Sequence, residues 1–401
     1  MSIRRRTSTS IVDIWLTNNS NDVNVVGSLR WAVAQASRTL PTVIKVAPDF
    51  IDLAGVGRNM YVADTRVVNT LSGGAKDITI DFSYINVIIG TGGGFGGANN
   101  IAYPTFKLQN MVVENQDFGA AGAALFSSMI EFTNCRFENL VGDFTYGFFD
   151  AFVTSNITNC IFRNVINNNS IKSMFRFTNG TFTIDNCIFD NTSTVSTGST
   201  SVLVNFSKCY INVSDTFVRS LGTFNFSQCY IRNSGTSTAI GLFARNYGAV
   251  TNCTFVNMRI YQTSGWGEKP SNIRHCTQLY TLPIGATTIL NPINVDLAHT
   301  IQNNIFISPN SNNIFPTNLT SLTESNNLYL CVNPNTVFPN STHYPASTPI
   351  TTLIDTNEQG VGETFKRYYL PTMTNNVARL ADVLQNQIEQ DRNNPTNIGA
   401  I

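Results

Sequence analysis

Short runs in which apolar and polar residues alternate recur along much of the chain. Phe132-Thr133-Asn134-Cys135-Arg136-Phe137-Glu138-Asn139 is followed by Ile157-Thr158-Asn159-Cys160-Ile161-Phe162-Arg163-Asn164 and by Ile184-Asp185-Asn186-Cys187-Ile188-Phe189-Asp190-Asn191. The pattern continues at Phe206-Ser207-Lys208-Cys209-Tyr210-Ile211, Phe226-Ser227-Gln228-Cys229-Tyr230-Ile231, Val250-Thr251-Asn252-Cys253-Thr254-Phe255 and Ile273-Arg274-His275-Cys276. Successive cysteines are spaced by 25, 27, 22, 20, 24 and 23 residues. Degenerate copies flank the array: Leu108-Gln109-Asn110-Met111-Val112-Val113 before it and Ile301-Gln302-Asn303-Asn304-Ile305-Phe306 after it.

Alternation with period two predicts strands, and a repeat of this length predicts one coil of a β-solenoid per copy. Helical repeats run longer with i, i+3, i+4 spacing, and a leucine-rich repeat needs a Leu ladder that this chain lacks. Each Cys and the residue two positions on (Phe137, Phe162, Phe189, Ile211, Ile231, Phe255) share one side of a strand. Phe is the commonest member, so that side is the interior. The residue between them (Arg136, Ile161, Ile188, Tyr210, Tyr230, Thr254) is expected to face out. The Asn before Cys is expected at a corner, where Asn tolerates positive φ, and stacked corners predict an Asn ladder.

Other elements follow the same logic. Residues 28–37 predict a short helix with Ser28 as its cap and Leu29, Ala32, Val33 and Ala36 on one face. Such a helix would plug the open end of the first coil. Ile78-Thr79-Ile80-Asp81-Phe82 and Val87-Ile88-Ile89 read as early coil strands. From Pro309 on, prolines cluster (Pro316, Pro334, Pro339, Pro345, Pro349, Pro371), which predicts loop-rich structure. One further helix is expected over 375–390, with Val377, Leu380, Leu384 and Ile388 as its apolar stripe, packed within the chain in preference to a coiled coil. The organisation is thus an N-terminal arm (1–23), a solenoid (24–310) and an irregular C-terminal region (311–401).

The recurrent Asn-Cys-x-Phe-x-Asn coil resembles that of the right-handed parallel β-helix proteins of the pectin-lyase-like superfamily. Gly27-Ser28-Leu29-Arg30-Trp31-Ala32-Val33, followed by Val43-Ile44-Lys45-Val46, is similar to the Ser-Leu-Arg-x-Ala opening that caps many such helices. Asn397-Ile398-Gly399-Ala400 resembles the ending of similar domains. The resemblance covers residues 24 to 310 and implies an all-β fold, a right-handed parallel β-helix with an N-terminal capping helix. It spans lyases, hydrolases, adhesins and phage tailspikes, so it implies no single activity.

Composition agrees and narrows the function. Charged residues make up 12% of the chain, against a usual value of about 25%, and the net charge is zero. Asn numbers 50 of 401 residues and Phe 27. The balance excludes a disordered chain and offers no basic surplus for nucleic acid. No run of apolar residues is long enough to span a bilayer as a helix. After Arg4-Arg5-Arg6 comes Thr7-Ser8-Thr9-Ser10 instead of an apolar run, so a cleaved export signal is not expected. The arginines read as a solvated terminus or, in the sharper reading, as an assembly arm.

Seven of the eight cysteines occupy one repeat position, so they read as a stack of small buried hydrophobes, neither disulfides nor metal ligands. His275, His299 and His343 are scattered. No cofactor and no metal are expected. Glu138 and Asp190 share one repeat position, which Arg163, Arg232 and Val256 take in other coils. The superfamily's hydrolase and lyase motifs are absent. The insertion Val141–Ala151 holds Asp143 and Asp150 with Phe144, Tyr146, Phe148 and Phe149. It reads as a packed loop or subunit contact, and as an alternative places Asp143, Tyr146 and Asp150 in a glycan-binding site. The expected function is a virion structural protein, a bacteriophage-like spike, fibre or capsid-decorating subunit on the virion surface, with host polysaccharide as ligand. The resemblance implies a homotrimer among other virion proteins. The alternatives are a polysaccharide lyase or hydrolase tailspike and a bacterial, cell-surface adhesin.

Overall fold

A computed structural model describes residues 11–37, 39–51, 58–62, 66–67, 78–90, 93–96, 106–120, 124–127, 130–151, 154–169, 173–197, 201–214, 217–220, 222–235, 241–243, 246–261, 272–280, 290–291, 299–309, 322–331, 341–350, 359–361 and 365–367. The chain divides into two compact units, residues 1–161 with 165–175, and residues 162–164 with 176–401. Each is an all-β parallel solenoid. The arginines 4 to 6 and the helix expected at 375–390 lie outside the described residues.

In the first unit, strands stack in parallel on three faces. The first sheet runs from Val12–Asn18 through Thr42–Ile51, Ile78–Asp81, Phe106–Gln109 and Ile130–Thr133 to Ser155–Thr158. Ile80, Leu108, Phe132 and Ile157 stand in register along it, and all are buried. Rings from the faces meet inside. Phe95, Phe126 and Phe149 stack with centroids 5.7 and 5.1 Å apart, and Phe132 meets Phe137 edge-on at 5.3 Å. Offset and edge-on pairs of this kind add to the area each ring removes from water. The expected helix is present as Leu29–Ala34. Ser28 caps it, its Oγ accepting from Trp31 N at 3.1 Å, and Leu29, Ala32 and Val33 are buried.

The second unit repeats the plan. Ile184, Phe206, Phe226, Val250, Ile273 and Ile301 stand in register in one sheet. Phe189, Ile211, Ile231, Phe255, Gln278, Phe306 and Tyr329 do so in the next. The ladders continue past residue 310, through Leu322–Ser325, Leu328–Cys331 and Thr342–Pro345. From residue 304 on, the inner Cys position is taken over by Asn304 and Asn327, each buried. The Asn304 amide donates to Asn327 Oδ1 at 3.0 Å, and the Asn327 amide to Ile301 O at 2.9 Å.

The corners are as the repeat demands. Asn110, Asn134 and Asn159 in the first unit, and Asn186, Asn252, Asn303 and Asn326 in the second, have φ of 51 to 56°. Lys208, Gln228 and His275 hold the same conformation at the same repeat position. In the first unit Asn159 Nδ2 donates to Asn134 Oδ1 at 3.2 Å, and Asn134 Nδ2 to Asn110 Oδ1 at 3.3 Å. A second left-handed row includes Asn115 and Asn139, bonded at 2.9 Å. All eight cysteines are free and buried. Each thiol of the repeat donates to the carbonyl two residues back, as Cys209 does to Ser207 O at 3.1 Å and Cys276 to Arg274 O at 3.3 Å. Burial pushes the thiols of Cys135, Cys209 and Cys253 well above their ordinary range.

One expectation is corrected. The residue between the two inner positions faces solvent at Arg136, but Ile188, Tyr210, Tyr230 and Thr254 are buried in the second unit. The outer face of that sheet is therefore covered by further chain. Strand Phe365–Arg367, hairpinned with Gln359–Val361, lies against Tyr230–Asn233. Alternation locates which side chains share a face, but which face finds a second layer depends on where distant segments land.

Candidate functional site

One corner of the first unit departs from the repeat. Asp81 pairs with Gln109 and Asn86 with Val112, so the segment between them is two residues longer than in the next coil. The surplus folds out as a tight turn. Ser83 and Tyr84 have φ of 49° and 59°, and Ile85 N donates to Phe82 O at 3.0 Å. Two consecutive left-handed residues closed by this bond make a type I′ turn, which favours Asn-Gly. Asp81 Oδ1 holds the turn by accepting from Ser83 N at 2.9 Å and from Asn110 Nδ2 at 2.9 Å. A large aromatic in the left-handed region is an outlier, and such strain collects at ligand clamps. Tyr84 is 63% exposed.

Tyr84 forms one end of an open groove of about 540 Å³, within the range of ligand sites. Its floor is the outward row of the second sheet, where Asn86, Val112 and Arg136 are in register and Ile161 follows. Asn134 and Asn159 of the corner ladder and Glu114 complete it. Arg136 Nη2 lies 3.0 Å from Glu114 Oε2, and its Nε lies 3.4 Å from Glu138 Oε2. Glu114 and Glu138 are register partners on adjacent strands. Asn86 Oδ1 is buried and has no hydrogen-bond partner among the described residues. The left-handed Asn115 carries the neighbouring strand out of step. Gln116 bridges the gap with its side chain, accepting from Ile89 N at 2.9 Å and donating to Val87 O at 2.8 Å. The groove thus combines an aromatic platform, apolar Val112 and Ile161, amides and the Glu114–Arg136 ion pair.

The residues proposed from sequence sit elsewhere. Asp143 and Tyr146 are exposed in the turn after strand Arg136–Gly142, and Asp143 Oδ1 accepts from Asn169 Nδ2 at 2.8 Å. Asp150 is buried on the third face, in register with Ser127. The insertion is a packed loop: Phe144 and Phe148 are buried with centroids 4.7 Å apart. Asn167 clasps it. Its Oδ1 accepts from Phe144 N at 2.9 Å, and its Nδ2 donates to Phe144 O at 2.9 Å and Ser173 O at 2.7 Å. Tyr84 and Asn167 both escaped sequence reading. For Tyr84 the signal was available: an aromatic stands where the aligned copies carry the corner Asn.

A second polar cluster lies in the second unit. Glu324 Oε1 accepts from Asn327 Nδ2 at 2.6 Å, from the Tyr329 hydroxyl at 3.1 Å and from Ser341. Burial, and then the Glu324 charge, push the Tyr329 hydroxyl well above its usual range, so it stays a neutral donor. These groups bond one another and leave the cluster closed. Among the described residues no group of three or more His, Cys, Asp and Glu could hold a metal ion, and no helix is long and apolar enough to cross a membrane. No family model, no curated protein and no solved structure matches the chain.

Proposed function

We propose that the chain is a structural subunit of a virion surface whose first-unit groove binds a host-surface polysaccharide. The observation that carries the binding is Tyr84, an exposed aromatic held in left-handed backbone beside a groove lined by amides and by apolar Val112 and Ile161. Pyranose rings present one C–H face to an aromatic ring and hydroxyls to amides, which is what this lining offers. The virion setting draws on the resemblance of the Asn-Cys-x-Phe-x-Asn coil to pectin-lyase-like β-helices. On that reading the solenoid is right-handed, the helix Leu29–Ala34 plugs its first coil, and three copies associate. A stable monomer by light scattering overturns the trimer.

The test of binding is titration with surface polysaccharides of candidate hosts. Wild type is expected to bind and Tyr84→Ala to lose at least about tenfold, the effect of one stacked aromatic anchor. A tailspike enzyme is the second reading, favoured by the register partnership of Glu114 and Glu138 on the same face. Appearance of reducing or unsaturated ends during incubation decides for it.

A further inference from the structure

We infer that the groove selects uncharged polysaccharide over acidic polysaccharide, which rests on the glycan-binding reading of the same site. The charge arrangement carries the inference. The formally charged residues lining the groove are Glu114 and Arg136. Arg136 is engaged on two sides, by Glu114 at 3.0 Å and by Glu138 at 3.4 Å. Glu114 and Glu138 thus occupy the guanidinium positions that an incoming anion would need. A uronate or sialate would have to displace one carboxylate from Arg136 and then sit beside it. Like charges at that separation repel, and the displaced partner loses its own ion pair.

An uncharged chain meets no such conflict. Its hydroxyls are donors as well as acceptors, so one can donate to Asn86 Oδ1, which is buried and unpartnered among the described residues. A carboxylate has no proton to offer there. Asn134 spends one amide hydrogen on Asn110 Oδ1 at 3.3 Å, and an amide carries a second. Val112 and Ile161 offer apolar surface to the ring face that does not stack on Tyr84.

The experiment is calorimetric titration of the full chain at low salt with size-matched oligosaccharides. One set is neutral (gluco-, manno-, galacto- and N-acetylglucosamine chains) and one is acidic (oligogalacturonate and oligosialate). Neutral chains are expected to bind at least about tenfold more tightly than acidic ones, with a gap that narrows as salt screens Glu114 and Glu138. Tyr84→Ala is expected to abolish the neutral signal. The double variant Glu114→Gln/Glu138→Gln releases Arg136. It is expected to raise affinity for acidic chains about tenfold and so to narrow the neutral-over-acidic ratio, with an unchanged circular dichroism spectrum confirming the fold. Equal or tighter binding of acidic chains by wild type overturns the inference and leaves the glycan reading standing. No binding by either set overturns the glycan reading and the inference with it. Unchanged selectivity in the double variant overturns the charge mechanism.

Discussion

Single residues carry much of the strain and much of the satisfaction in this chain. Asn recurs at corners because its short polar side chain makes the left-handed region tolerable and bonds the amide in the coil below. Lys208 holds φ of 52° with a longer side chain than the Asn of the other corners. Lys208→Asn is expected to raise stability by about 0.5–1 kcal/mol, read from the urea midpoint at constant slope. An unchanged or lower midpoint contradicts the corner account. Asn167 is the opposite case, a side chain doing the work of a strand. Asn167→Ala strands the Phe144 N–H and two carbonyls inside the protein. A loss of about 2–4 kcal/mol is expected, and Asn167→Asp is expected to recover little because it cannot donate. A loss below about 1 kcal/mol indicates that water replaces the clasp.

Among the elements, the turn at Ser83 and Tyr84 sets local stability against function. Asn-Gly is the favoured type I′ pair. Replacing Ser83-Tyr84 with Asn-Gly is expected to stabilise the first unit by about 1 kcal/mol and to remove polysaccharide binding. Stabilisation with binding intact would detach Tyr84 from the site. The sheet faces teach a related lesson. The same outward position is solvent-facing at Arg136 and buried at Tyr230, so a residue's place in the repeat does not settle its exposure. Gln278 shows the converse: a polar residue in an inner Phe position, buried and donating to Met258 O at 2.9 Å.

For the whole molecule, the stacked thiols link stability to pH. Burial raises Cys331 from an ordinary 9.0 to about 11 and pushes Cys135, Cys209, Cys253 and Tyr329 up as well. Each of these folded-state values lies above the unfolded one, so the unfolded chain loses these protons first, while hydrogen bonds from Cys209 and Cys253 move Cys229 the other way. Their contribution is intact below the ordinary values and is lost as pH rises through the folded ones. The denaturation midpoint is therefore expected to fall steadily above about pH 9 and to fall less in Cys209→Val. Thiol reagents at neutral pH are expected to label the native protein slowly and the unfolded protein completely. Rapid labelling of several native cysteines would contradict the buried ladder.

What the sequence by itself determined was the repeated coil: its inner Phe and Cys positions, its Asn corners, the capped helix after Ser28 and the all-β class. These are local consequences of a period-two pattern and of residues suited to positive φ, and each copy reinforces the next. It did not determine which outward row stays open, that Arg136 is held by carboxylates from its own strand and the one below, that Asn167 closes the insertion, or that Asp150 is buried. Those outcomes depend on residues more than twenty positions apart meeting across stacked coils and on later chain covering one face. Coil spacing carries the architecture, and only the tertiary stack brings Tyr84, Glu114 and Arg136 to one groove.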